Sequence, residues 1–275
     1  MQIPLFPLHT VLAPGIALPL HVFEERYRAM VKRCLDASLP FGVVLIREGS
    51  EVAPRDGTTQ ELAIAGVGTF AEIREASRYA DGRWDVLAVG MSRFLVRQVH
   101  PDMEPYLVAD VDPYPDEPGD GREDELEALA GRVTRRFVDY LRLLQPRDGE
   151  SAEPIDVQME VETAIEEDEE PDEGLRGADT REATTRETDA RPVPADDGDA
   201  ARVALRIPDD PSALSYLFTG IVQVEPDRKQ ALLEAASAEE RLRDLDALLD
   251  RELMLLGARL APFAVDRTGL AGAGN

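Results

Sequence analysis

Few residues in this chain have the types and spacing that chemistry needs. Its three histidines, His9, His21 and His100, stand far apart, and no H-E-x-x-H or C-x-x-C spacing is present to hold a metal. No G-x-S-x-G presents a nucleophile, and no G-x-x-x-x-G-K-[ST] cradles phosphates. His21 lies between Leu20 and Val22, at the entry to a helix. A general base needs a substrate proton or a nucleophile within reach, and the sequence supplies neither. An imidazole that holds the turn is the plainer reading. Glu24 and Arg26 read as an ion pair or as charge at a helix N-terminus. Cys34 is the single cysteine, so there is no intrachain disulfide. It falls on an apolar helix face and behaves as a small buried hydrophobe. The acidic run Glu166, Glu167, Asp168, Glu169, Glu170 lacks the alternating spacing of a calcium loop. No catalytic, cofactor-binding or metal residue is assigned.

The better functional clue is apolar. Leu5, Phe6, Leu8, Val11, Leu12, Ile16 and Leu18 are more apolar residues than one short arm easily buries. Two readings stand side by side. They are the core and plug of a small barrel, or they are a groove that takes apolar segments of unfolded polypeptide.

The elements that position this arm can be read in order. Prolines 4, 7, 14, 19 and 40 punctuate it. Proline fixes φ and removes a donor, so the arm is extended and irregular rather than helical. A helix begins near Phe23, with Tyr27, Met30, Val31, Cys34 and Leu35 on its buried face. Residues 41–47 (F-G-V-V-L-I-R) predict a strand buried on both faces. Phe70 and Ile73 do not alternate cleanly, which predicts a bulge. Asp81-Gly82 is a hairpin signal ahead of Trp84. Two further strand patterns follow, Trp84 to Gly90 and Phe94 to Val99, and a last one, Tyr106 to Val111, ends at Pro113 and Pro115. Several short strands with tight turns and one helix suggest a closed or half-closed barrel. From residue 120 the period becomes helical, through Leu126, Leu129, Val133, Phe137, Tyr140 and Leu144. Helical pattern resumes after Pro208 and Pro211, with Asp209 or Asp210 as cap. Ser237-x-x-Glu240 is a capping box that opens a long helix with Leu242, Leu245, Leu249, Leu253 and Leu256 as its stripe.

The opening P-L-F-P-L, the P-G, and L-P-L-H-V-F-E-x-R-Y strongly resemble the start of the Lon protease N-terminal domain. Gly66-Val67-Gly68-Thr69, Gly90-x-x-Arg93-Phe94 and the segment from Leu214 to Leu233 resemble its later motifs. The resemblance covers roughly residues 1–147 and 206–258. It implies an α+β fold, a β-rich PUA-like pseudo-barrel followed by an α-helical bundle. It also implies recognition of substrate polypeptide without chemistry of its own. Pro7, His21, Glu24, Arg26, Tyr27, Gly68, Gly90 and Arg93 are its motif residues, read as structural. An arginine inside apolar motifs must find partners, so Arg26 and Arg93 are expected to pair with acids such as Glu24 or with backbone carbonyls.

Charge narrows the partners. The net charge is -25. Residues 148–199 hold 20 acidic residues and four arginines, a net of -16, which leaves -9 for the rest. Acidity on this scale argues against nucleic acid and anionic membranes. No segment approaches a membrane span, and no basic region precedes an apolar core as in a signal peptide, so a cytoplasmic protein is expected. Residues 148–205 have no sustained apolar period and are read as a disordered acidic insert. The expected organisation is therefore a barrel over 1–115, a linker and long helix over 116–147 and the insert over 148–205. The rest of the bundle covers 206–260 and a tail 261–275. The function expected is a non-enzymatic module that binds unfolded or client polypeptide, working with a protease or chaperone. A hydrolase with an unrecognised site and a PUA-like RNA-binding module are the alternatives.

Overall fold

The computed structural model describes residues 1–49, 62–117, 119, 121–144, 155–156, 203–204 and 206–260. In chain order the elements are β1 (Gln2–Leu8), β2 (Ala17–Val22), α1 (Glu25–Ala37), β3 (Phe41–Glu48), β4 (Ala63–Ile64), β5 (Val67–Arg78), β6 (Trp84–His100) and β7 (Val108–Pro113). There follow α2 (Glu123–Leu144), β8 (Ile155–Asp156), β9 (Val203–Ala204), α3 (Pro211–Ile221), α4 (Pro226–Glu234) and α5 (Ala238–Leu260). The fold class is α+β, as expected. Two compact units divide the chain, one of residues 1–145 with 207–275, the other of 146–206. In the second unit β8 and β9 pair in parallel. The remainder of the acidic segment lies outside the described residues, and so does the disorder expected of it.

The sheet closes on itself. Its strand order runs β1-β7-β6-β5-β3, and β1 also pairs with β3, so five strands form a ring. The β1–β3 pairing is parallel and the β1–β7 pairing antiparallel. β2 joins β6 from outside the ring, and β4 joins β3. Closure explains why β3 and β1 read as continuous apolar runs. Ile3 and Leu5 point inward, into one cluster with Val44, Phe70, Phe94, Ala109 and Val111. Phe6 and Leu8 point outward, into a second cluster with Tyr27, Met30, Val31 and Cys34 of α1. Period two thus sends the two faces of one strand into two cores. Phe94 fills the ring. A Cβ on Gly42 or Gly68 would come within 2.6 or 2.5 Å of its ring carbon.

β6 is one strand of 17 residues, where the sequence reads as two. Between the pairs Thr69–Arg93 and Ala71–Gly90, β5 advances two residues while β6 advances three. The extra residue is a bulge at Met91–Ser92, and it leaves both side chains exposed. Beyond the bulge the pleat changes phase, so Phe94 enters the ring and Arg93 turns toward the helices. A compensating extra residue follows on β5 at Arg74, between the Ile73–Ala88 and Glu75–Leu87 pairs. The predicted hairpin forms at Asp81-Gly82, where Gly82 has φ 87° and the Tyr79 N–H donates to Arg83 O at 2.9 Å.

The helices pack into the same compact unit as the barrel. Phe137 of α2 stacks on Phe218 of α3 with centroids 4.1 Å apart, and the Tyr140 hydroxyl accepts the Gln223 N–H at 3.0 Å. Arg136 of α2 binds Asp246 of α5 at 2.8 Å. Asp210 caps α3 by accepting the Ala213 N–H at 2.7 Å, with Pro211 in the first turn, a position that needs no N–H. Ser237 accepts the Glu240 N–H at 3.1 Å. The Glu240 carboxylate reaches back one residue further than a standard capping box, to the Ala236 N–H.

Candidate functional site

An apolar groove opens where four segments meet. Its walls are Cys34 and Leu35 at the end of α1, the turn Ser38-Leu39-Pro40, Phe70 and Ile73 of β5, and Met91 of the β6 bulge. Met1, Glu72 and Ser92 complete it, and the cavity volume is about 470 Å³. Local chemistry shapes each wall. α1 stops at Ser38, which adopts the left-handed conformation at φ 49° and donates its N–H back to the Cys34 and Leu35 carbonyls. Pro40 then blocks further helix, and Leu39 is left 46% exposed. The bulge does the same for Met91, which is 47% exposed. Leu35, Leu39 and Met91 are thus large lining side chains that the core does not take up. Glu72 at its rim pairs with Arg74 at 3.2 Å.

Burial pushes the Cys34 thiol up to about 11, against a minor opposing pull from Arg33. A thiol so far above neutral pH is protonated and inert as a nucleophile.

A second assembly lies buried between barrel and helices. Arg93 donates from Nη1 to the Leu233 and Ala235 carbonyls, each at 2.6 Å, and from Nη2 to Asp116 at 2.6 Å. Its guanidinium stands 4.4 Å over the Tyr114 ring. Arg241 of α5 binds both oxygens of Asp116, at 2.8 and 2.6 Å, and lies 3.7 Å over Tyr216. Ser212 and Tyr216 donate hydroxyls to the same carboxylate at 2.6 and 2.8 Å. Burial raises the pKa of Asp116, but the Ser212 hydroxyl, the Arg241 charge and the Tyr216 hydroxyl outweigh it. The group stays below the ordinary carboxylate range. This cluster joins β6, the linker after β7, α3 and α5. It is a joint between sheet and helices.

The surface around His21 is a third polar set. His21 Nδ1 lies 2.6 Å from Asp85, its neighbour across the β2–β6 pair, and Arg83 reaches Nε2 at 3.3 Å. Arginine only donates, so Nε2 accepts and Nδ1 carries the proton toward Asp85. Tyr79 also donates to Asp85, and these two hydrogen bonds hold the carboxyl below its usual range. The set ties the β5–β6 hairpin to β2 and is exposed to solvent. Among the described residues, no group of three or more His, Cys, Asp or Glu is placed to hold a metal ion.

The remaining sequence-derived residues fall as follows. Leu5, Phe6, Leu8, Val11 and Leu12 are buried in the core clusters, at 0 to 9% exposure. For these five residues burial fits the core reading of the arm and not the groove reading, and ring closure is the physical reason. Val11 packs with Leu45, Val67 and Tyr216. Ile16 and Leu18 are partly buried against the outer core. Pro7 sits in β1 opposite Val44. Arg26 pairs with Glu24 at 3.0 Å and lies 4.5 Å over Tyr27. Gly90 lets the loop at Ala13 approach, and both its N–H and its carbonyl bond that loop, to Ile16 and Gly15. The groove residues Leu35, Leu39, Phe70, Ile73 and Met91 were not singled out as a site by sequence. The one available signal was a leucine and a methionine at turn and bulge positions.

Barrel, helical layer and groove together define a mixed α+β domain whose open surface is an apolar cleft. The chain belongs to the family described as "ATP-dependent protease La (LON) substrate-binding domain", whose model matches residues 2–251. That match is to a substrate-binding domain and not to an ATPase or peptidase domain. Among curated relatives, the Lon protease of Parabacteroides distasonis is 28% identical over 149 residues. The Lon protease of Porphyromonas gingivalis is 25% identical over 148 residues. Each match takes in 53% of this chain and 17% of the relative, so the chain spans about a sixth of those proteins. Two crystal or solved structures share the fold. The Lon N-terminal domain protein from Xanthomonas campestris aligns with a TM-score of 0.51 at 20% identity, over 90% of this chain and 98% of that one. The N-terminal domain of Mycobacterium avium complex Lon protease aligns with a TM-score of 0.51 at 16% identity, over 91% and 98%. Among the described residues no helix is long and apolar enough to cross a membrane.

Proposed function

We propose that this chain is a polypeptide-recognition module that takes apolar segments of unfolded or client proteins into the groove beside α1. It works in the cytoplasm as a substrate-binding part or adaptor in proteolysis, with a protease or chaperone as the further partner. The observation that carries this reading is the groove itself. Leu35, Leu39 and Met91 are exposed by 37 to 47% around one cleft, and large apolar side chains gathered on a surface mark a binding region. Family membership supports the kind of ligand. The structural role of the Arg93 cluster supports a module without chemistry there, because its polar groups are spent on each other.

The test uses the full chain and a fluorescent peptide of apolar and aromatic residues, read by anisotropy. Leu39→Asp places a charge in the groove at an exposed position. Affinity is expected to fall about tenfold or more, with the melting temperature unchanged. Unchanged affinity in a folded Leu39→Asp protein would remove the groove from the function.

A further inference from the structure

We propose that Met91 is an oxidation-sensitive control residue of the groove, and that conversion of its thioether to the sulfoxide by a peroxide closes the groove to apolar polypeptide. The inference rests on the polypeptide-binding reading above and adds regulation to the same site.

Geometry selects this residue. The β6 bulge presents Met91 and Ser92 to the outside together, and Met91 lines the cleft with Leu39, Phe70 and Ile73. Met30, four residues before Cys34 on α1, is sealed at 0% exposure. Cys34 also borders the cleft but is only 2% exposed, and as a protonated thiol it reacts poorly with peroxide. Thioether oxidation needs no deprotonation. Oxidising chemistry in the cleft therefore falls on methionine sulfur, and Met91 is the methionine anchored in the sheet. Met1 borders the cleft from the chain terminus, where its ammonium donates to Val111 O at 2.8 Å.

The step balances without another reactant. A sulfur lone pair attacks one peroxide oxygen, the O–O bond breaks, and that oxygen stays on sulfur. The second oxygen leaves as water with both peroxide protons. Sulfur is oxidised by two electrons and the peroxide is reduced by two. The product is polar and chiral where the thioether was apolar. A strong acceptor then faces Phe70, Ile73 and Leu39, and an apolar ligand offers it no donor.

The experiment treats the full chain with hydrogen peroxide, maps each methionine by peptide mass, and measures binding of the fluorescent apolar peptide. Each protein is compared with its own untreated sample. Affinity of the wild type should fall about tenfold as Met91 gains one oxygen, and should recover with methionine sulfoxide reductases. Met91→Leu should show no change on treatment. Bound peptide should slow oxidation at Met91 but not at Met103 or Met254, which are 51% and 64% exposed and border no part of the groove. Wild-type affinity that survives complete oxidation of Met91 would overturn the proposal, as would an equal loss in Met91→Leu. Untreated wild type that fails to bind the peptide would overturn the polypeptide-binding reading itself, and this inference with it.

Discussion

Arg93 of the barrel and Arg241 of the last helix, 148 positions apart in the numbering, donate to the same oxygen of Asp116, at 2.6 and 2.8 Å. Both arginine side chains are 0% exposed, and one carboxylate answers two guanidinium charges. The surplus is spread over carbonyls and rings. Arg93 takes Leu233 O and Ala235 O and faces Tyr114, while Arg241 takes Ser215 and faces Tyr216. Arg93 Nε alone has no hydrogen-bond partner. Within this cluster both arginines thus depend on a single acid.

Asp116→Asn should accordingly destabilise the fold by about 3 kcal/mol, the lower end of the range for breaking a buried pair. Denaturant unfolding of the purified protein measures it. Arg93→Ala should lower stability on the same scale, because it removes the guanidinium donors to the Leu233 and Ala235 carbonyls and one of the donors to Asp116. An Arg93→Ala protein of unchanged stability that has lost its peptide would instead make Arg93 a ligand contact.

The same acid sets a pH dependence. The folded pKa of Asp116 lies below its unfolded value, so its contribution is full above the unfolded value and is lost as pH falls through the folded one. The stability gap between wild type and Asp116→Asn should therefore be constant above about pH 5 and narrow below about pH 4. Parallel denaturant titrations across that window read the gap directly. A gap that does not change with pH would show that the carboxylate charge contributes nothing.

Gly90→Ala should lower stability by about 1–3 kcal/mol. The added carbon would fall against the carbonyl oxygen of Ala13, which is backbone and cannot swing aside. The loop carrying Leu12 would have to move, and with it the bond from the Thr69 hydroxyl to Leu12 O at 2.6 Å. A thermal melt checks this, and an unchanged melting temperature would mean that the loop yields freely.

Deletion of residues 148–200 should leave the melting temperature within about 2–4 °C, the shift expected of 1 kcal/mol. α2, α3 and α5 already hold one another through Phe137, Phe218, Tyr140 and Arg136, all outside the deleted stretch. Light scattering on the deletion protein should rise, since 20 acidic residues are among those lying between 148 and 199. A fall of many degrees would show that the segment carries folded structure.

Local signals were readable where one element decides its own fate. The face of α1 through Tyr27, Met30, Val31 and Cys34, the doubly buried β3 and the Asp81-Gly82 turn all depend on neighbours in sequence. Features that depend on closure were not. The arm looked too apolar to bury because period two hides a second core until β1 pairs with both β3 and β7. β6 looked like two strands because a bulge breaks the alternation at Met91 and Ser92. Asp116 fell in the linker and Arg241 went unremarked, since the two meet across 125 residues of sequence. The groove was invisible for the same reason, being assembled from four separate segments.

Ring closure has one more consequence. A domain that holds unfolded chains in the act of recognising them runs a hazard, because an exposed strand edge will template a bound segment into intermolecular sheet. β1, β3, β5, β6 and β7 each find neighbours around the ring, and the long open stretch among them is β5 beyond Ala71, which pairs with β6 alone. What remains open among the described strands of this unit is short or blunted. β4 has two residues, β2 carries Pro19, which cannot donate to an incoming strand, and the open stretch of β5 carries Glu72, Arg74, Glu75 and Arg78 with a bulge at Arg74. Under the proposed role, a client would be gripped by side chains in the cleft and released intact, instead of nucleating amyloid-like growth on the very surface that received it.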